Sequence, residues 1–163
     1  MADPVALARR VLGDNGYLDT YRLRPRLDLA ALLKHHGLEW HRRPFAGLAG
    51  ALVLFGAEYY VVTNSREGWA RQRFTAAHEL KHYLTDRRTA RVFMCRRSMD
   101  RGIERAANVF ARELLMPAET MKWLYGQESR APAEIGRALG VSAQAVGIPM
   151  AELGLGEERV WWG

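Results

Sequence analysis

Two histidines four residues apart, His78 and His82, constrain the local fold more than any other feature of this chain. On an α-helix, positions i and i+4 are separated by about 40° around the axis and by one turn along it, so both imidazole rings reach one metal ion. Glu79 lies about 100° from His78, which keeps it out of the metal's coordination shell but close to a water molecule beside the ion. The pattern predicts a helix that carries a metal site.

Such a site requires a continuous helix around the motif, a third ligand downstream and a strand nearby. Residues 67–84 contain no proline and consist mostly of good helix formers, with Gly68 as the only weak point. Phe74, Ala77 and Leu84 fall on one side, and Asn64 or Ser65 is available as the N-cap. We therefore predict a helix over residues 67–84.

Residues 103–115 form the next helical pattern and can carry the third ligand. Their apolar positions follow the i, i+3, i+4, i+7 spacing of a buried helix face. Glu104 sits at the edge of that face beside Ala107, Asn108 and Ala111, small side chains that let another helix approach closely. Glu113 projects from about the opposite side and is predicted to be a solvated surface charge. A glutamate on an amphipathic helix is usually a surface group, but the upstream motif lacks its third ligand, which favours Glu104.

Two neutral histidines and a carboxylate leave the fourth position of a zinc ion open for water, which is the arrangement of zinc hydrolases. Glu79 is then the catalytic carboxylate that takes a proton from the attacking water and delivers it to the leaving amine. A second electrophile often assists, and the sequence leaves open a set of aromatic and histidine candidates: Tyr59, Tyr60, Tyr83, His35, His36 and His41.

The remaining N-terminal half supplies a scaffold of short elements. Residues 3–13 and 27–36 read as helices, the second ending at Gly37, a favourable C-cap residue. Residues 38–42, 49–55 and 58–63 read as strands, with Gly56 and Ala57 as a tight hairpin connection. We predict an α+β fold in which a small antiparallel sheet packs on helices and offers an edge to an extended peptide.

The motifs together resemble the ImmA/IrrE family of small zinc metallopeptidases. The similarity covers roughly residues 25–120. It rests on residues 71–77 running into the histidine motif, on residues 104–111, and on the Leu-Leu-Met-Pro sequence at 114–117.

This resemblance implies a minimal zincin-like fold, with His78, His82 and Glu104 as zinc ligands and Glu79 as the catalytic residue. It also implies a cytoplasmic bacterial or phage-borne endopeptidase that cleaves or inactivates a helix-turn-helix transcriptional repressor during stress or mobile-element induction. The alternative is a non-catalytic regulator or toxin–antitoxin partner that uses the peptidase fold to bind protein or DNA.

The chain departs from the family pattern at two positions. Lys81 stands where these enzymes usually carry glycine. A cation there either opposes metal binding by repulsion or pairs with Glu104 or with an acidic substrate group. Ala106 stands where relatives often have a glutamate, which is not a ligand in the predicted scheme.

The C-terminal residues are predicted to form a separate appendage. We place the peptidase domain at residues 1–126 and a helical appendage resembling a degenerate helix-turn-helix at residues 127–163. Gly140 marks its turn and Ser142 the N-cap of its second helix. Gly147 and Pro149 occupy positions where DNA-binding helices commonly carry basic residues, so we favour packing against the peptidase body over DNA recognition.

Length and composition agree with one compact protein. The chain has 163 residues, 48% of them hydrophobic, and a net charge of +6. Its single cysteine, Cys95, excludes an intrachain disulfide and suits a reducing compartment, and a role as a latency ligand for the zinc is disfavoured. Neither a secretory signal nor a membrane span is recognised, so we expect a soluble cytoplasmic protein.

Overall fold

A computed structural model describes residues 3–86, 100–127 and 131–156. Cys95 and most of the arginines between the two predicted metal-binding helices lie outside these residues. Within the described part, the elements follow in the order α1 (Pro4–Asp14), α2 (Tyr17–Thr20), α3 (Leu29–His35), β1 (Glu39–Arg43), β2 (Gly50–Phe55), β3 (Glu58–Asn64), α4 (Trp69–Thr85), α5 (Arg101–Leu115), α6 (Ala118–Gly126), α7 (Pro132–Leu139) and α8 (Ala143–Glu152). The predicted α+β class is confirmed.

The three strands form a mixed sheet in the order β1-β3-β2. The hairpin places β2 antiparallel to β3, with Phe55 opposite Glu58 across the two-residue turn. β1 pairs with the other side of β3 in a parallel register, Glu39 opposite Tyr60, so the prediction of a purely antiparallel sheet is wrong. Apolar alternation identifies a strand, but the loop that follows β1 decides its direction relative to β3.

Helix α4 is the central element, since it packs against β2 and β3 and also against α5. Small side chains on both of the paired helices are fully buried: Ala76 and Ala77 on α4, and Ala107 and Ala111 on α5. The surrounding core consists of larger side chains with 0–1% exposure, among them Leu12, Leu33, Leu52, Leu80, Phe110 and Leu114. The close approach of α4 and α5 anticipated from residues 103–115 is therefore present.

Two local predictions near these helices are wrong. The N-cap of α4 is Gly68, which makes no side-chain hydrogen bond. Asn64 instead ties down the preceding loop, because its amide donates to the carbonyls of Phe45 and Leu48 at 2.7 and 3.0 Å. Glu113 is not a solvated charge, since its carboxylate pairs with Arg9 at 3.0 Å and its side chain is 16% exposed.

The two C-terminal helices pack into the same hydrophobic cluster as the rest of the protein, through Ile135, Leu139, Val146 and Met150. The Ser142 hydroxyl accepts from the Ala145 amide at 3.1 Å, so the predicted N-cap of α8 is confirmed. Gly140, at φ 72°, ends α7 in the left-handed region that glycine favours.

Arg73, on α4, is a buried link between the metal helix and the C-terminal helices. Its guanidinium donates to the carbonyl of Leu27 at 3.0 Å and to that of Leu139, at the end of α7, at 3.4 Å. Burial, reinforced by the nearby charge of Arg26, lowers the pKa of Arg73 to about 10. The partial negative charge at the α7 C-terminus suits this cation.

None of the described helices combines the length and apolar character that crossing a bilayer requires.

The fit of β2 against α4 predicts opposite effects for two Gly→Ala substitutions. A Cβ at Gly50 would lie 2.5 Å from Thr75 Cγ2 and 2.7 Å from the Val62 carbonyl oxygen, so Gly50→Ala should destabilise the fold by about 1–3 kcal/mol. A Cβ at Gly147 on α8 meets nothing within 4 Å, so Gly147→Ala should stabilise the fold by roughly 0.5–1 kcal/mol. Urea unfolding of both variants measures the difference. Equal stability of the two would contradict the close β2–α4 packing.

Candidate metal centre

Helix α4 brings the two predicted histidine ligands together on one face. The Nε2 atoms of His78 and His82 lie 3.0 Å apart, and the two residues are 5% and 2% exposed. They occupy successive turns of a helix that is buried from Gln72 to His82 except at Phe74. The rings are therefore held among packed side chains rather than in solvent.

Helix α5 supplies the third donor from its first turn. Glu104 Oε2 lies 3.4 Å from His78 Nε2, and Oε1 lies 3.4 Å from His82 Nε2. Asp100 caps this helix by accepting the Gly102 amide at 2.7 Å, which fixes the turn that carries Glu104. Among the described residues, these three side chains are the one group whose donor atoms lie within 4.8 Å of one another.

The spacing of the three donors fits one small divalent cation. For a tetrahedral zinc with bonds of about 2.0–2.1 Å, neighbouring donor atoms are about 3.3–3.4 Å apart. The two Nε2 atoms lie 3.0 Å apart, and each has a different oxygen of the Glu104 carboxylate at 3.4 Å, so these separations are close to that value. Three protein donors also leave a coordination position for water or substrate, as in catalytic sites. The geometry is thus that of an open, rather than a closed structural, metal site.

Both histidine rings are oriented by a second hydrogen bond on the far nitrogen. His78 Nδ1 lies 3.0 Å from Asn108 Oδ1, and His82 Nδ1 lies 2.9 Å from Asp86 Oδ2. Since both partners are oxygen acceptors, the Nδ1 atoms donate and the Nε2 lone pairs face each other and Glu104. An imidazole that carries its proton on Nδ1 leaves the Nε2 lone pair available to a metal ion.

The sequence analysis missed both orienting residues, although a signal was present. Asn108 follows Glu104 by four residues, and Asp86 follows His82 by four, so each is one helical turn from a predicted ligand. Oxygen-bearing side chains one turn from a metal ligand are the expected partners of its imidazole nitrogens.

Asp86 also resolves the position of Lys81. Lys81 Nζ lies 2.7 Å from Asp86 Oδ2, so within the described residues the ionic partner of this lysine is Asp86 and not Glu104. The Thr85 hydroxyl donates to Asp86 Oδ1 at 2.9 Å. Burial alone would raise the pKa of Asp86, but the hydrogen bonds from Lys81, His82 and Thr85 together hold that pKa below its usual value.

Glu79 lies between the two histidines on α4 and is 5% exposed. It is not one of the three grouped donors, and its place outside the metal's coordination shell stays a prediction. Beside the donors lies a cavity of about 280 Å³, lined by Arg71, Phe74, Thr75, His78, Glu104 and Asn108. This cavity gives a small molecule or a substrate side chain access to His78 and Glu104.

The proposed assisting electrophiles make contacts of their own in the described structure. Tyr59 and Tyr83 contact each other edge to face at 5.4 Å, and the Tyr60 hydroxyl donates to Glu58 at 2.8 Å. His41 lies 3.1 Å from Glu39, while His35 ends α3 and His36 caps it. Within the described residues, none of the six lines the cavity beside His78, so that role stays unassigned.

Comparison with known proteins identifies the family of this chain. The peptidase M78 family, described as the IrrE N-terminal-like domain, matches residues 33–149. The chain is also 35% identical over 137 residues to the radiation response metalloprotease IrrE of Deinococcus deserti. That match covers 72% of this chain and 45% of the relative, so the chain spans less than half the length of that protein.

The ligand geometry predicts unequal roles for two glutamates of α5. Glu104→Gln removes the charged donor and should weaken binding of zinc or cobalt at least tenfold, as measured by competition with a chromogenic chelator. Glu113→Gln, on the same helix but paired with Arg9, should leave metal affinity unchanged. Metal binding that survives in Glu104→Gln and falls in Glu113→Gln would place the site elsewhere.

Proposed function

Because the chain belongs to the family of peptidases with an IrrE N-terminal-like domain, as its motifs predicted, we propose that it is a zinc-dependent endopeptidase. The observation that carries the proposal is the convergence of His78, His82 and Glu104 at separations of 3.0–3.4 Å, with Glu79 on the same helix. Two imidazoles and one carboxylate, with an open position, form the donor set of zinc peptidases.

When bound, a divalent metal supplies Lewis-acid chemistry, because it lowers the pKa of a water molecule and polarises a carbonyl group. Glu79 accepts the proton of the attacking water and delivers it to the nitrogen of the leaving amine. Asn108 and Asp86 hold the imidazole rings in the orientation that presents their Nε2 atoms. The burial of Glu79 among packed side chains strengthens its interaction with the reacting groups.

The edge of β2 is our proposed binding surface for the substrate backbone. Gly50, where β2 begins, packs on Thr75, and Thr75 lines the cavity that contains His78 and Glu104. Among the described strands, β2 lies at one edge of the sheet. The backbone N–H of Asn64 donates to the carbonyl of Ala49, so Ala49 and Asn64 form a hydrogen-bonded pair of the β2–β3 ladder. Because every second residue of an antiparallel strand faces its partner strand, the backbone N–H groups of Leu52 and Leu54 point away from β3. An extended peptide can accept these hydrogen bonds as an added strand.

We propose a regulatory protein as the substrate, namely a helix-turn-helix transcriptional repressor in the cytoplasm of a bacterium or phage-infected cell. The support is the family resemblance and the radiation response named for the Deinococcus relative. Direct DNA binding is disfavoured by the exposed face of α8, which carries no basic side chain. The exposed residues of α8 and its N-cap are Ser142, Ala143, Gln144, Gly147, Ile148, Ala151 and Glu152. Sequence-independent affinity for DNA depends on lysine and arginine at phosphates.

Glu79→Gln is the variant that tests the catalytic proposal. Loss of the proton acceptor should reduce cleavage of a cognate repressor about 100-fold or more, while zinc binding stays near that of the wild type. Cleavage is followed by mass spectrometry of the zinc-loaded protein mixed with a helix-turn-helix repressor, with and without a chelator. If Glu79→Gln retains the full biological effect, the protein acts as a non-catalytic regulator or toxin–antitoxin partner instead.

Leu54→Pro tests the proposed substrate edge. Proline removes the outward-facing amide of Leu54, which is 37% exposed, without removing a bond of the β2–β3 ladder. We expect turnover to fall at least tenfold and zinc content to stay unchanged, with Leu54→Thr as the control that keeps the amide. Parallel loss of zinc and turnover in Leu54→Pro would indicate general disruption and would remove the support for this edge.

A further inference from the structure

Lys81 is a buried charge directly beside the candidate metal centre. It is 2% exposed and lies on α4 between Glu79 and His82. Its ammonium reaches Asp86 Oδ2 at 2.7 Å, the same oxygen that accepts the Nδ1 proton of His82 at 2.9 Å. One carboxylate oxygen therefore joins a buried cation to a predicted metal ligand.

Burial of an ammonium group is costly unless the charge is paired and hydrogen-bonded. Within the described part of the chain, Lys81 has one ionic partner, Asp86. Neither helix formation nor hydrophobic packing requires a charged residue at this position. The position of Lys81 therefore calls for a role that depends on Asp86.

Asp86 lies at the end of α4, where the helix backbone alone does not fix the orientation of its carboxylate. It is the C-cap residue of α4, and its side chain is 14% exposed. The Thr85 hydroxyl holds Oδ1 at 2.9 Å, whereas Lys81 and His82 both hold Oδ2. Without Lys81, fewer bonds oppose rotation of the carboxylate away from the imidazole and into solvent.

We propose that Lys81 is a positioning residue for metal binding: it fixes Asp86 against His82 Nδ1, so that His82 Nε2 is presented to the ion. The proposal rests on the metal site of the proposed function and not on the peptidase reaction. It also explains why the positive charge of Lys81 need not repel a metal ion at this site. Lys81 and Asp86 form a contact pair with no net charge, so the ammonium does not act on the metal as an isolated cation.

The test measures metal affinity in four purified full-length variants and the wild type. Lys81→Met keeps the length and burial of the side chain and removes the ammonium. Asp86→Asn removes the carboxylate, and the double variant combines the two. Lys122→Met, which replaces an exposed lysine of α6, is the matched control.

Zinc and cobalt dissociation constants are obtained by chelator competition, and the visible d–d spectrum of the cobalt form reports the ligand geometry. Circular dichroism of the metal-free proteins reports folding.

We expect Lys81→Met to bind both metals tenfold or more weakly and to alter the cobalt spectrum, while Lys122→Met matches the wild type. The double variant should bind no more weakly than Asp86→Asn, because Lys81 acts through Asp86. Folded Lys81→Met with wild-type or tighter affinity would overturn the proposal, as would additive effects in the double variant. If Lys81→Met fails to fold, the unchanged affinity of a folded Asp86→Asn variant would overturn it equally.

The outcome separates this inference from the peptidase proposal. A wild type that binds zinc through this network but cleaves no repressor would support the role of Lys81 and contradict the proposed function. A wild type that binds neither metal would contradict both.

Discussion

The structure depends on the close packing of α4 against α5, because the candidate metal centre draws its donors from both helices. Small residues on both helices, Ala76, Ala77, Ala107 and Ala111, are fully buried. Glu104, in the first turn of α5, lies 3.4 Å from each of the two histidine nitrogens of α4. A larger residue that separated the two helices would withdraw the carboxylate from the rings.

The side chains around these donors are polar groups whose burial would be costly without hydrogen bonds, and here they hydrogen-bond to one another. Asn108 and Asp86 accept from the far nitrogens of the histidines, and Lys81 and Thr85 complete the bonding of Asp86. Such a network orients the rings before an ion arrives, which reduces the ordering required on binding. The hydrophobic core on the opposite sides of α4 keeps this polar group in place.

Most elements of the fold could be predicted from local patterns. Apolar periodicity located α4 and α5 to within a few residues, and the two glycines at 37 and 140 marked helix ends. The contacts between elements were harder to predict than the elements themselves. The sequence did not reveal that β1 runs parallel to β3, that Asn64 holds a loop instead of capping α4, or that Glu113 pairs with Arg9. Each of these depends on residues that are distant in sequence.

The sequence by itself determined the placement of His78 and His82 on one helix face and the position of Glu79 outside their plane, because helical periodicity fixes these angles locally. It also identified the peptidase family. Only the tertiary structure decided that Glu104 meets the histidines and that Lys81 turns to Asp86, since both depend on the distance and rotation of one helix relative to its neighbours or on the rotamer of a side chain. Packing, and not periodicity, sets those quantities.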